Sequence, residues 1–209
     1  MTDSHPTPHR WLILGAGGHG RSVADAIRAS GDAVLGFLDD GLAAAELVAG
    51  APVLGPLALA WQWPQLPLLP DRVVVAIGNP SLRQTWQQVL ERQGVPVGVL
   101  VHPRACVSPS AQLAPGCVLL AGAVVNANAQ LHSGVLLNSG AVVDHDATCG
   151  AYSQLGINAS MAGASRLGPL AVLAAGEVLG CRESRFAELE LATGAADLSE
   201  GVSSAGSSR

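Results

Sequence analysis

Apolar residues fall along the chain in two rhythms. From Trp11 to about Gly98, short apolar runs alternate with amphipathic stretches. Trp11-Leu12-Ile13-Leu14 is an unbroken apolar run closed by glycines, the signature of a buried strand. Arg21–Ala29 puts Val23, Ala26 and Ile27 on one helical face. Ser81–Arg92 does the same with Leu82, Trp86, Val89 and Leu90, after a Gly78-Asn79-Pro80 entry in which Asn79 or Ser81 can cap the helix. Ala33–Leu38, Arg72–Ile77 and Val95–Val101 read as further strands, so this half predicts a small parallel sheet. Trp61–Pro70 carries too many prolines for a regular element.

From Val107 the period becomes six. Val107, Leu113, Leu119, Val125, Leu131, Leu137 and every sixth residue onward to Leu179 is apolar. The residue four places after each is nearly always small, as in Ala111, Cys117, Ala123, Ala129 and Ala171. This pattern predicts a β-helix. Each hexad forms one face, the large residue points inward, and the small inward residue lets the chain turn. Three hexads make a triangular coil of about 18 residues. The pattern fails at the end, where Glu177 takes a small slot and Arg185 a large one, and Phe186–Leu191 is expected to cap the stack. The predicted organisation is a flexible tail at 1–10, an α/β domain at 11–100, a β-helix at 101–192 and a second flexible tail at 193–209.

Composition narrows the function classes. Of 209 residues, 49% are hydrophobic and 13% charged, and mean hydropathy is +0.36, which excludes a disordered chain. No apolar run reaches the roughly 18 residues of a membrane span. The net charge is −5, every basic residue is Arg and no basic run exists, which argues against a nucleic-acid partner. The four cysteines form no CxxC pair, and the N-terminal stretch has no apolar secretory core, so a cytoplasmic protein with reduced thiols is expected.

Two segments carry candidate chemistry. Gly15-Ala16-Gly17-Gly18-His19-Gly20 fits G-x-G-x-x-G between a predicted strand and a predicted helix, the context in which backbone N–H groups receive a pyrophosphate. Asp39 lies about twenty residues on, where a dinucleotide fold places its ribose-binding carboxylate. Taken alone this suggests NAD, but fewer than ninety residues precede the β-helix, room for about half of a doubly wound domain. A mononucleotide such as the nucleoside diphosphate of a sugar fits better. A ligand-free tight turn, and a solvated turn at Asp39-Asp40, are the plain alternatives.

In the repeat, Val143 points inward, so His145 falls at a corner and projects outward between Asp144 and Asp146. An adjacent carboxylate fixes the imidazole tautomer and raises its basicity, which suits proton removal from an amine or hydroxyl. His132 lacks acidic neighbours and is a weaker candidate, while His102, before Pro103, reads as structural. Asn126, Asn128 and Asn138 read as a structural asparagine ladder, and Cys149 as core. His132, His145 and Asp146 share no ligand spacing, so no metal is expected. No Gly-x-Ser-x-Gly elbow or Cys/His dyad is present, so no covalent intermediate is expected.

Taken in order, Gly15–Gly20, Gly36-Phe37-Leu38-Asp39-Asp40, Ala76-Ile77-Gly78-Asn79 with Arg83, His102-Pro103, and Val143-Asp144-His145-Asp146 inside a hexapeptide repeat resemble the sugar acetyltransferases of the PglD/NeuD type. The resemblance spans about Trp11–Leu179. It implies a half-Rossmann-like α/β domain followed by a left-handed parallel β-helix, a homotrimer, and acetyl-CoA as donor. It implies His145 as general base with Asp146 as its partner. It implies that Gly15, Gly17, Gly18, His19, Gly20, Gly78, Asn79 and Arg83 bind the diphosphate and sugar, with Asp39 and Asp40 facing the nucleoside. It assigns Gly156, Gly163, Ala174 and Ala175 to acetyl-CoA. Three features depart from the family pattern. Gln154 stands where many members have a histidine nine residues after the base, the Gly-Val-Pro-Ala-Lys ending is missing, and the last coil loses its pattern at Gly180-Cys181-Arg182. The expected activity is N-acetylation of a UDP- or GDP-linked 4-amino-4,6-dideoxy sugar by direct amine attack. The alternatives are O-acetylation of a sialic-acid-type sugar, or a catalytically weak nucleotide-sugar-binding scaffold.

Overall fold

In the computed structural model, residues 7–62 and 69–187 are described. The tail at 193–209, most of the tail at 1–10, the centre of the proline-rich stretch and the end of the Phe186–Leu191 segment lie outside them. The N-terminal domain runs β1 (Arg10–Leu14), α1 (Gly18–Ala29), β2 (Ala33–Leu38), β3 (Leu47–Val48), β4 (Ala51–Gly55), a 3₁₀ turn at Leu57–Gln62, β5 (Arg72–Val75) and α2 (Pro80–Arg92). The sheet order is β3-β4-β2-β1-β5, with β1 parallel to both β2 and β5. Consecutive strands therefore leave β1 in opposite directions. The loops after β1, β2 and β5 gather at the C-terminal ends of these strands, where the ligand crevice of such a sheet lies.

The core follows from the apolar runs. Trp11, Ile13 and Phe37 pack with Val23, Ala26 and Ile27 of α1, while Leu12, Leu14 and Leu38 pack with Leu90 of α2 on the other side of the sheet. Asn79 caps α2 by accepting from the Leu82 N–H at 3.0 Å. α1 begins at Gly18, three residues before the predicted start, because the helix opens inside the glycine run with Gly17 as its N-cap. The unpredicted β3 and β4 form an antiparallel hairpin around Ala49 and Gly50, both at positive φ (44° and 74°). Ala49 is an unusual residue for such a turn, which hid it. The strand expected at Val95–Val101 is corrected. Pro96 has no N–H for a ladder, and Val97 makes only an isolated bridge to Val73. Leu100–Val101 pairs instead with Val118–Leu119 of the solenoid.

The second domain is a left-handed parallel β-helix of two-residue strands in three five-stranded sheets. Partner strands stand 18 residues apart, as in Val124↔Val142 and Val142↔Ser160. The predicted inward residues form one core, with Leu119, Leu137, Val143, Cys149, Leu155 and Leu173 at most 1% exposed. Every sixth residue from Gly116 to Arg182 has positive φ and turns a corner. Glycine takes some of these positions, whereas Asp146 (φ 58°) and Tyr152 (φ 60°) occupy this left-handed region with a Cβ. Where the repeat breaks, the two off-pattern residues satisfy each other: Arg185 Nη1 donates to Glu177 Oε1.

The N-terminal domain covers one face of the prism, where outward Leu100, Val118 and Leu136 join its core. α2 docks on the adjoining corner. Gln87, 1% exposed, donates to the Pro115 carbonyl at 3.1 Å. Arg83, also 1% exposed, donates to the carbonyls of Gly134 (3.0 Å), Tyr152 (2.8 Å), Ile77 (2.8 Å) and Gly78 (3.2 Å). Burial holds its pKa down at about 10. A buried cation satisfied by carbonyls on both domains is a fixed strut, because removing it strands several acceptors at once. Arg83→Ala is therefore expected to lower stability by about 3 kcal/mol in urea unfolding. A loss within the scatter of surface substitutions would show that the seam does not depend on it.

Candidate active site

The glycine motif adopts the geometry its spacing implies. Gly15 has φ +99°, and a Cβ there would lie 2.8 Å from the Ala76 carbonyl oxygen, so the loops after β1 and β5 touch. A Cβ on Gly20 would collide with the Gly15 carbonyl oxygen, which sets α1 close against the strand. Gly17, Gly18 and Gly78 face open space. α1 has no side-chain cap and no acidic residue in its first turn, so its N-terminal N–H groups are left for an anion. A cavity of about 320 Å³ adjoins them, walled by Ala16, Gly17, Arg21, Asp39, Leu42 and Leu47 among others.

The two neighbouring aspartates part company. Asp39 lies in the cavity wall, accepting from the N–H groups of Ala16 (2.7 Å) and Gly41 (2.8 Å). It ties the glycine loop to the end of β2. Asp40 turns to the Leu57 N–H at 2.8 Å and is not among the residues lining the cavity. The Arg83 guanidinium is buried in the domain seam. Asn79 is exposed and its side chain serves the helix cap. His19 is largely enclosed and its Nε2 has no hydrogen-bond partner among the described residues. Burial, and then the charge of Arg83, lower its pKa to about 4, so the ring is neutral at ordinary pH.

His145 stands on a corner of the solenoid, as expected, with its side chain 59% exposed. Its Nδ1 is 2.8 Å from Asp146 Oδ2, and its Nε2 is 3.9 Å from Asp144 Oδ2. The hydrogen bond to Asp146 and then the charge of Asp144 raise the imidazole pKa above its ordinary value of 6.5. Both carboxyls are held below their usual range, Asp144 first by Asn126 and Asp146 first by His145. Asn126 Nδ2 donates to Asp144 Oδ1 at 2.8 Å, and Asn128 Nδ2 to Asp146 Oδ1 at 3.2 Å. The asparagines therefore do not form the expected ladder. They brace the carboxylates one coil on, and the 18-residue spacing was the signal that could have found them. Asn138 only accepts from the Ser139 N–H. His132 is exposed, His102 accepts from the Arg104 N–H at 3.0 Å, and among the described residues neither pairs with a carboxylate.

The four positions assigned to the donor separate. Gly163 stacks on the histidine, and a Cβ there would lie 2.5 Å from His145 Nε2. Gly156 packs under Ala174 and Ala175. These three belong to the corner on the far side of a face whose outward residues include Val142, Ser160 and Val178. Among the described residues, no group of His, Cys, Asp and Glu could hold a metal ion, and no helix is long and apolar enough to cross a membrane.

The electrostatics make a direct expectation. In an NMR titration His145 should protonate above pH 6.5 and His19 only near pH 4. Asp146→Asn should move the His145 midpoint downward. Gly163→Ala, at a position without positive φ, should do the same by pushing the ring off Asp146. A midpoint unchanged by both variants would mean that the dyad does not form in solution.

A sequence profile of the PglD N-terminal domain matches residues 10–90. A comparison with curated proteins found no significant sequence match. Among solved structures, the acetyltransferase domain of PglB from Neisseria gonorrhoeae superposes with a TM-score of 0.72 at 30% identity, over 86% of this chain and 97% of that one. The same domain in complex with acetyl coenzyme A gives 0.73 at 30% identity, over 85% and 93%. PerB from Caulobacter crescentus, in complex with CoA and GDP-perosamine, gives 0.70 at 29% identity, over 83% and 90%.

Proposed function

This chain belongs to the sugar acetyltransferases of the PglD/NeuD type, and from that premise we propose that it N-acetylates a UDP- or GDP-linked 4-amino-4,6-dideoxy sugar with acetyl-CoA. Relatives bound to acetyl coenzyme A, or to CoA with GDP-perosamine, support the donor and the acceptor class. The observation that carries the reading is the exposed His145–Asp146 dyad on the solenoid corner.

The chemistry follows from the two ring nitrogens. Asp146 on Nδ1 fixes the tautomer that leaves the Nε2 lone pair outward. His145 Nε2 takes a proton from the acceptor ammonium, and the freed amine nitrogen then bonds to the acetyl carbon and loses its second proton to solvent. The C–S bond breaks, and the imidazolium returns the proton to the departing thiolate. The acceptor's diphosphate is met by the N-terminus of α1, with Gly17 and Gly18 leaving room for close approach. The donor lies along the face between Ala174–Ala175 and Gly163.

One chain does not hold both halves of this site on one corner. α2 and the crevice adjoin the corner of Pro115–Gly116, Ser133–Gly134 and Ala151–Tyr152, whereas His145 stands on that of Ala127–Asn128 and Gly163–Ala164. The face beside His145 presents the column Cys106, Val124, Val142, Ser160 and Val178, mostly apolar and with Val178 64% exposed, which invites burial. A homotrimer closes both gaps, since a second copy packed against this face brings its crevice to His145 and leaves the donor in the groove between the two copies. Sedimentation should give a trimer, and Val178→Glu should shift it toward monomer with loss of turnover. A fully active monomer would overturn the shared site.

A thioester-release assay with UDP- and GDP-4-amino-4,6-dideoxy sugars tests the activity, and a chain that turns over none of them is a binding scaffold instead. His145→Ala should lower kcat by at least about 10²-fold with much smaller changes in KM. The rate should fall as pH drops through the raised imidazole pKa, and Asp146→Asn should shift that limb to lower pH. Near-normal turnover by His145→Ala would remove the base from its role.

A further inference from the structure

The carboxylate on the other side of His145 is unused by this mechanism. Asp144 Oδ1 accepts from Asn126 Nδ2 at 2.8 Å, which orients the carboxyl group. Its second oxygen, Oδ2, lies 3.9 Å from His145 Nε2. The backbone N–H of His145 also supports the carboxylate form of Asp144, and the side chain is 36% exposed, so the carboxyl remains open to an incoming donor. Two proton acceptors, Nε2 and Oδ2, thus stand side by side where the acceptor nitrogen must come. The packing keeps them open: Gly163 borders Nε2 with a hydrogen where any Cβ would lie 2.5 Å away.

Proton counting gives this pair a meaning. A primary alkylamine, with a pKa near the 10.4 of lysine, arrives mostly as an ammonium ion at neutral pH. Converting R–NH₃⁺ and a thioester into an amide and a thiol removes two protons from nitrogen, of which one ends on sulfur. Esterifying a hydroxyl removes only one. We propose that Asp144 binds the acceptor as an ammonium and receives its second proton, so that the site selects amines over hydroxyls. This rests on the acetyl-transfer reading and on His145 as base.

The ammonium donates one N–H to Asp144 Oδ2 and one to His145 Nε2. Transfer to Nε2 gives a neutral amine still held by Asp144. The amine lone pair bonds to the acetyl carbon, and the carbonyl π pair moves to oxygen. The now cationic nitrogen gives its second proton through Oδ2 to solvent. The carbonyl re-forms as the C–S bond breaks, and the imidazolium proton goes to the thiolate. Asn126 is a positioning residue for Asp144, as Asn128 is for Asp146. A hydroxyl acceptor has one proton for two acceptors, so it leaves either Nε2 or Asp144 Oδ2 without a donor, and it brings no positive charge to the carboxylate. Sites built to hydrogen-bond a substrate group reject analogues lacking it by about 10⁴–10⁵-fold.

The test compares the 4-amino sugar nucleotide turned over most rapidly above with its 4-hydroxy counterpart. Wild-type enzyme should prefer the amine by at least about 10³-fold in kcat/KM. Asp144→Asn keeps shape and the Asn126 contact but removes the charge. It should raise the amine KM and cut the amine-to-hydroxyl preference by about 10²-fold, with acetyl-CoA KM unchanged. Asp146→Asn should lower kcat for both acceptors alike and leave the preference intact, which separates a general loss of the base from a loss of selection. An Asp144→Asn preference equal to wild type, or a wild type that acetylates the hydroxyl as readily, would overturn the assignment. Turnover of the amine by wild type stands or falls separately and tests the acetyl-transfer reading itself.

Discussion

Everything in the solenoid is placed by one constraint, the in-register stacking of each coil on the next. Backbone N–H groups of one coil donate to carbonyls of the following coil, as Val124 to Ala141 and Val142 to Ala159. A residue is therefore always above the one 18 positions before it. That rule puts Asn126 under Asp144, Asn128 under Asp146, and Gly163 over His145. The candidate site is not a loop decorating a scaffold. It is three successive coils of the repeat in which the polar outward positions happen to align, and its precision is that of the hydrogen-bond ladder beneath it.

The same residue type is driven in opposite directions on the two domains. His145 is exposed between two carboxylates and is made more basic. His19 is enclosed, faces the charge of Arg83, and stays neutral. Burial penalises the charged ring in one place, and hydrogen bonding favours it in the other. The contrast separates a proton acceptor on the solenoid from a neutral polar group in the crevice.

The domains are joined through an unusual element. Arg83 brings a buried cation to the seam, donating to backbone carbonyls from both sides and, at 3.5 Å, to Gln154 Oε1. Gln154 occupies the position where many family members carry a histidine, so here that place on the repeat faces the seam. The strut fixes the loop after β5 against the solenoid. This matters because small misplacements between reacting groups cost large factors in rate.

Much of this architecture was legible in the chain itself. Hexad phase named the inward residues, since a period of six with alternating large and small apolar positions fits little else, and the glycine motif named its own turn. His145 stood out because an imidazole between two aspartates is conspicuous in a wall of Ala, Gly and Val. The hairpin at Leu47–Gly55 was illegible because Ala49 does not advertise a left-handed turn. The partners of Arg83 and Asp40 were not legible for a common reason: they are far away in sequence. Arg83 meets residues 51 and 69 positions on, and Asp40 meets a backbone N–H 17 positions on. Periodicity dictates which way a side chain points, because that is a local property of the backbone. What it meets when it gets there depends on which distant segment has been brought alongside, and only the packed chain decides that.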